Sequence, residues 1–163
     1  MTTQTTTLAK SSKKSDRQIV VERIFNAPRE KVWRAHSEPA LLAQWWGRGN
    51  KLDVERFEFV RGGHWRFVEH SDGETHGFEG RFREINPMDL IEQTFEWDGM
   101  PGHANVDTAV FEDAGEGRTK ITATSMFLTT EERDGMFGMM FGEDGKGGLH
   151  ESYAALDRLL ESI

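Results

Sequence analysis

The C-terminal stretch, residues 146–163, constrains the fold most, because it combines one strongly apolar stripe with little helix stability of its own. Apolar residues recur there every three or four positions, the spacing that places side chains on one face of an α-helix. The stripe consists of Leu149, Tyr153, Leu156, Leu159, Leu160 and Ile163. Polar or charged residues fill most other positions. An isolated helix of this kind is marginal in water, so it needs an apolar surface to pack on.

The middle of the chain predicts that surface. Six runs alternate apolar and polar residues with a period near two, which is typical of half-buried β-strands. Glycine, proline, aspartate or asparagine separates the runs in combinations that form hairpin turns. The predicted strands cover residues 52–60, 64–70, 76–85, 90–97, 104–112 and 118–127. Gly77 and Gly80 inside one run suggest a bulge or bend, which a sheet needs if it is to curl around a helix.

The segments on either side of this meander predict one more strand and three short helices. Residues 17–25 are β-branched and aromatic, which favours a strand. Asn26 is a good helix N-cap, Pro28 suits a first turn, and Pro39 predicts a break between two short helices. We interpret the tryptophan pair after them, Trp45 and Trp46, as a packing plug for one end of the sheet.

The chain between the last strand and the C-terminal stretch is less regular. Residues 129–137 begin with threonine and glutamate and predict a further short helix. Residues 136–148 mix methionine and phenylalanine with glycine. This composition does not decide between a loop and the first part of the long helix.

Composition limits the partners. The 163 residues include 20 basic and 28 acidic side chains, a net charge of −8, so no basic stripe is available for a nucleic-acid backbone. Cysteine is absent, which excludes disulfides and thiolate sites and fits a cytoplasmic location. No run approaches the roughly 18 apolar residues of a membrane span. We expect a disordered polar tail over residues 1–16 and a single domain over residues 17–163.

Several longer motifs follow one another in a recognisable order. They are RIFNAPREKVWRAHSEPALLAQWWG, GGHWRF, GFEGRFREINPMDLIEQTFEW, GRTKITATSMF and GLHESYAALDRLL. In these motifs and their order the chain resembles the START-like (SRPBCC) superfamily, and within it the branch named after the activator of heat-shock-chaperone ATPase. The resemblance covers about Arg17 to Ile163.

The resemblance implies an α+β helix-grip fold. A strongly curved antiparallel sheet of about seven strands would wrap around the long C-terminal helix, with two short helices after the first strand and a deep apolar cavity in between. Superfamily members are variously ligand binders, cyclases, hydrolases or co-chaperones, so the fold does not give the function. The name of the branch implies a stress-response setting. Its full-length co-chaperones carry a separate N-terminal chaperone-binding domain where this chain has a sixteen-residue tail, so chaperone contact has little support.

The strand alternation selects residues that we interpret as lining the cavity. Aromatic side chains at sheet spacing are usually plain core, but many large rings on one curved sheet also favour a hydrophobic pocket. The methionines form an adaptable lid in this interpretation, with ordinary packing as an equal alternative. The candidate ligand-binding residues are Trp65, Phe67, His76, Phe78, Phe82, Gln93, Phe95, Trp97, Phe111, Met136, Met139, Met140, Tyr153 and Leu156.

Three hypotheses follow for the function. The leading one is a small protein that binds a hydrophobic or amphipathic molecule, with no metal or cofactor, because the six histidines match no zinc spacing and no phosphate loop or nucleophile elbow occurs. The second is a cyclase- or hydrolase-type enzyme using His76, Glu69 or Tyr153. The third is an interaction module for a chaperone or for a second copy, since homodimers are common.

Overall fold

The computed structural model describes residues 16–141 and 148–163. The tail predicted over residues 1–16 therefore lies, apart from Asp16, outside the described residues. In chain order the elements are β1 (Gln18–Phe25), α1 (Arg29–Ser37), α2 (Pro39–Leu42), β2 (Lys51–Phe57), β3 (His64–Ser71), β4 (Glu74–Asn86), β5 (Leu90–Trp97), β6 (Asn105–Gly115), β7 (Arg118–Met126), α3 (Thr130–Phe141) and α4 (Gly148–Ser162).

The strands form one antiparallel sheet with the order β1-β7-β6-β5-β4-β3-β2. Strands β2 to β7 are a meander, and β1 pairs with β7 from Gln18↔Met126 to Phe25↔Thr119. The first strand is therefore a sheet edge, and α1 and α2 lead the chain across to the other edge at β2. This arrangement confirms the predicted α+β helix-grip class.

Turn chemistry fixes the hairpins, and bulges bend the strands. Between β3 and β4 a two-residue turn places both Asp72 and Gly73 at positive φ, the backbone that twisted hairpins favour. Pairing shifts register between Phe82 and Glu84 in β4, so the bulge lies beyond Gly80 rather than at the glycines. Gly80 has a different role, because a Cβ there would overlap the carbonyl of Thr94 on the neighbouring strand.

The two short helices after β1 begin and break at prolines. The N-cap of α1 is Pro28, whose carbonyl oxygen accepts hydrogen bonds from Lys31 and Val32 at 3.0 and 3.2 Å. The expectation of an Asn26 cap is therefore wrong by two residues. Glu38 is extended, at φ −102° and ψ 118°. A residue before proline prefers this conformation, which ends α1 ahead of Pro39.

The segment after β7 forms a helix of its own. Helix α3 extends four residues beyond the predicted 129–137. Glu132 joins it to the loop between β5 and β6, and Arg133 joins it to β1. His103 lies 3.0 Å from the Glu132 carboxylate, and Arg133 donates to the carbonyl of Gln18 at 3.5 Å. Residues 142–147, part of the stretch that the sequence left ambiguous, lie outside the described residues.

Helix α4 packs its stripe onto the sheet as the sequence predicts. Tyr153, Leu156, Leu159 and Leu160 are buried, and Leu149 and Ile163 are half-buried against the core. The Tyr153 ring meets the Phe25 ring of β1 edge to face at 5.2 Å between centroids. Such contacts supply the tertiary packing that the helix needs.

Candidate functional site

Cross-strand pairing defines the face of the sheet that looks toward α4, here called the inner face. Directly paired residues lie on the same face, so the buried Phe67 places its partner Phe78 there, and Phe78 places Trp97. On the next strands Gln93 pairs with Asp107, and Asp107 pairs with Ser125. A polar row thus continues the aromatic one.

Burial changes along this inner face. At one end Ile91, Phe111 and Ile121 are only 5%, 1% and 1% exposed, which we call the sealed half. At the other end, where β7 leads into α3, most residues of the same alternation on β4 to β7 are only half-buried, with Asn105, 6% exposed, as the exception. This set, called the inner patch, comprises His76, Phe78, Gln93, Phe95, Trp97, Asp107, Ala109, Ala123 and Ser125. Side chains that face the core and still reach solvent indicate incompletely filled space above them.

Aromatic rings line one side of the inner patch. Phe78 and Phe95 stack at 5.4 Å between centroids, and Trp46 lies 5.3 Å from Phe78 and 6.2 Å from Phe95. His76 lies 6.2 Å from the Trp97 ring. The tryptophan predicted to plug one end of the sheet therefore also forms part of the wall around the patch.

Asp107 is the acidic group of the inner patch. Its carboxylate accepts hydrogen bonds from Asn105 Nδ2, at 2.7 Å, and from Ser125. Burial nevertheless raises the pKa of Asp107 to about 6, because desolvation outweighs these bonds. The side chain is desolvated and yet keeps some accessible surface. Both properties fit a group that faces an enclosed space rather than bulk water.

A partly buried ion pair joins β1 to α4, and its arginine pairs across the sheet with Ile121 of the sealed half. Arg23, 6% exposed, donates to Asp157 at 2.6 Å, and its guanidinium lies 4.9 Å from the Phe25 ring and 5.4 Å from the Tyr153 ring. Burial raises the pKa of Asp157 despite this partner. Burial also raises the pKa of Tyr153 to about 12, with Asp107 adding to the effect, so the phenol stays protonated.

A second carboxylate on the inner face, that of Glu69, has its charge balanced by an arginine. Glu69 is 2% exposed, and Arg48 binds both of its oxygens at 3.0 and 2.7 Å, while Asn50 donates at 2.8 Å. Burial alone would raise the pKa of Glu69, but these hydrogen bonds outweigh it and hold the pKa below its ordinary value. A carboxylate held ionised in this way is a poor proton donor near neutral pH. The geometry thus gives no support to Glu69 as a general acid beside His76.

His36 of α1 is a half-buried group on the sealed side, with its ring packed among aromatic side chains. Its Nδ1 lies 2.8 Å from the carbonyl of Val32, and its ring lies 5.0 Å from Phe111 and 4.8 Å from Trp45. Burial lowers the pKa of His36 to about 4. The imidazole therefore packs as an uncharged ring in the core.

The predicted site residues fall into three groups. Trp65, Phe67, Phe82, Phe111, Tyr153 and Leu156 are buried core. His76, Phe78, Gln93, Phe95 and Trp97 belong to the inner patch, and Met136 is half-buried against the core. Met139 is 65% exposed, and the side chain of Met140 lies outside the described part of the structure. Their role in binding stays a prediction.

Sequence reasoning selected His76 and Gln93 among the polar residues of the inner patch but missed Asp107 and Ser125. The strand alternation that placed Phe111 inward also carries Ala109, Asp107 and Asn105 to the same face, so the signal for Asp107 was present. The indication that Arg23 is buried was weaker, since an arginine on a strand is ordinarily solvated. Its burial depends on Asp157, which is distant in sequence.

A separate depression of about 670 Å³ lies away from the inner patch. It is open to solvent and mostly charged, with Arg61, Gly62, Arg81, Phe82, Arg83, Glu84 and Glu92 along it. Across residues 16–141 and 148–163, no three histidine or carboxylate side chains converge as a metal site requires. None of the helices in the described part is long and apolar enough to cross a membrane.

Solved structures share this fold. A crystal structure of a Rhodobacter sphaeroides protein is 26% identical, covers 95% of this chain and 99% of its own, and superposes with a TM-score of 0.82. A solution structure of an Arthrobacter aurescens protein is 23% identical over 98% and 94% of the two chains, also with a TM-score of 0.82. Among proteins with curated descriptions, none matches this chain significantly.

The sequence profile of one family spans most of the domain. It is described as "Activator of Hsp90 ATPase homolog 1-like protein" and matches residues 26–161, from the end of β1 to the last turn of α4. The match includes every strand of the inner patch and the helix that faces it. This chain therefore belongs to the activator of Hsp90 ATPase homolog 1-like family, with the START-like helix-grip fold.

Proposed function

We propose that this protein binds a hydrophobic or amphipathic small molecule on the inner patch, between the sheet and α4. The observation that carries the proposal is the contrast along one face of one sheet, between a sealed half and a half-buried inner patch. Proteins of this fold often bind small hydrophobic ligands, which agrees with the proposal.

Ring area supplies the driving force. Removing apolar surface from water contributes about 25 cal/mol per Å², so a ligand covering roughly 100 Å² of ring surface gains roughly 2.5 kcal/mol from that contact. Phe78, Phe95 and Trp97 present such surface, and Gln93 and Asp107 lie beside them on neighbouring strands. Ligand pockets commonly combine apolar walls with a few polar groups in this way.

The test compares two equivalent ring deletions. Phe95→Gln removes a half-buried ring from the inner patch, and Phe59→Gln removes a half-buried ring that packs on Trp33 and Phe82 at the sealed end. Uptake of the neutral dye Nile red is followed by fluorescence, with 1-decanol as competitor. Circular dichroism establishes that both variants remain folded.

We expect saturable uptake by the wild type and by Phe59→Gln, and at least about tenfold weaker uptake by Phe95→Gln. Equal loss in both variants would place the dye elsewhere or reflect general destabilisation. Unchanged uptake in a folded Phe95→Gln variant would refute binding at the inner patch.

A further inference from the structure

The inner patch has one carboxylate and contains no lysine or arginine that could pair with it. Among its nine residues, Asp107 is the acidic side chain, and its hydrogen-bond donors, Asn105 and Ser125, are neutral. The arginines on the inner side of the described structure already bind other carboxylates, Arg23 with Asp157 and Arg48 with Glu69. A negatively charged ligand would therefore be repelled by the Asp107 carboxylate, and neither of these arginines would be available to offset that repulsion.

Asp107 also has acceptor capacity left. A carboxylate offers about four lone-pair directions, and Asn105 and Ser125 use two of them. The raised pKa of Asp107 records the cost of ionising it in this place, and a cation arriving next to it would offset that cost. The half-buried state of the side chain leaves room for a ligand atom to reach it.

The strand register also places the aromatic rings of the inner patch close to the Asp107 carboxylate. Gln93 pairs directly with Asp107, so Phe95, two residues further along β5, is a diagonal neighbour of the carboxylate. Diagonal neighbours on one sheet face lie within reach of an aromatic side chain. Phe78 stacks on Phe95, and Trp97 pairs with Phe78. An ammonium group between ring faces and a carboxylate gains both cation–π attraction and a charge-assisted hydrogen bond.

We propose that the ligand of the inner patch is an amphipathic amine, whose ammonium group binds Asp107 while its apolar part covers Phe78, Phe95 and Trp97. This inference rests on the proposed binding function and adds the chemical class of the ligand. It assigns to Asp107 the selection of amines over alcohols and carboxylates of equal length.

The experiment uses three probes that differ only in the head group: n-decylamine, 1-decanol and decanoate, each below its micellar concentration. Isothermal titration calorimetry at pH 7.5 measures their affinities for the wild type and for two variants. Asp107→Asn keeps the size and the acceptor oxygen but removes the charge. Glu112→Gln is the control, because Glu112 is exposed on the same strand with the opposite parity, and its loss changes the net charge equally.

We expect decylamine to bind the wild type about tenfold or more tightly than decanol, and decanoate to bind weakest. Asp107→Asn loses that amine preference, so that decylamine and decanol bind it about equally, and Glu112→Gln behaves as the wild type. If decanol binds but decylamine binds no better, or if Asp107→Asn keeps the preference, the amine assignment is overturned and the binding function stands. If none of the probes binds, both are overturned.

Discussion

Asp107 and His36 give the protein two opposing responses to acid, and removing one should reveal the other. Asp107 has a folded-state pKa of about 6 against an ordinary 3.8, so between these values the folded state binds more protons and stability falls as pH rises. His36 has a folded-state pKa of about 4 against 6.5, so between these values the unfolded state binds more protons and stability falls as pH drops.

The two effects have similar size between pH 7 and pH 4.5. The linkage relation, applied to the two pKa values of Asp107, adds about 2 kcal/mol to the free energy of unfolding over this interval. For His36, whose surroundings disfavour the protonated ring, the same relation lowers the free energy of unfolding by about 2 kcal/mol. The contributions nearly cancel in the wild type. In Asp107→Asn only the His36 loss remains.

Urea unfolding at pH 7, 6, 5 and 4.5 measures this directly. The unfolding free energy of Asp107→Asn should fall by about 2 kcal/mol more than that of the wild type between pH 7 and pH 4.5. The other titrating groups are common to both proteins and drop out of the difference. Glu112→Gln should track the wild type. Parallel pH profiles for Asp107→Asn and the wild type would refute the placement of Asp107 in a desolvated site.

Three further predictions concern packing and the second inner carboxylate. Ala123→Phe, on the inner patch, should block Nile red uptake with a stability change below about 1 kcal/mol, whereas Ile121→Phe on the sealed half should cost about 1–3 kcal/mol by overpacking, as measured by urea unfolding. Equal losses of unfolding free energy in the two variants would contradict the difference in packing between the inner patch and the sealed half. Arg48→Met should destabilise by about 2 kcal/mol at pH 7, because it leaves the buried Glu69 carboxylate without its main donor. The loss should be smaller at acid pH, because without Arg48 burial raises the pKa of Glu69 and the carboxyl takes up a proton more readily. A cost that does not vary with pH would argue against this ion pair. Leu156→Ala should lower the free energy of unfolding by about 2–5 kcal/mol and Met139→Ala by almost nothing. Leu156 is fully buried and Met139 is largely exposed, so similar losses would contradict the packing of α4.

The fold was predictable because its signals are local and repeated. Alternation with a period of two located the strands to within a few residues, and Asp72 with Gly73 specified a hairpin through its left-handed backbone. The stripe of α4 has one compact way to be buried, which is against that sheet. The N-cap of α1 was misplaced because the sequence offered Asn26 as a good cap, whereas the Pro28 carbonyl satisfies the first turn without a side-chain bond.

The aromatic residues of the inner patch, together with His76 and Gln93, were selected from the sequence, whereas Asp107 and Ser125 were not. Phe78, Phe95 and Trp97 follow from parity along the strands, but parity cannot tell a sealed core position such as Phe111 from an accessible one such as Phe95. That difference depends on how α3 and α4 cover the two ends of the sheet. The Arg23–Asp157 pair likewise joins groups 134 residues apart, which no local pattern encodes.

Binding of an apolar ligand at the inner patch can be observed in the indole N–H signals of the five tryptophans. These signals are followed by ¹H–¹⁵N NMR during a titration with 1-decanol. Trp46 and Trp97 lie at the patch, whereas Trp33 packs on Phe111 at the sealed end. We expect saturable shifts of the Trp46 and Trp97 signals with Trp33 unchanged. A titration that shifts none of these signals, or that shifts Trp33 most, would contradict binding at the inner patch.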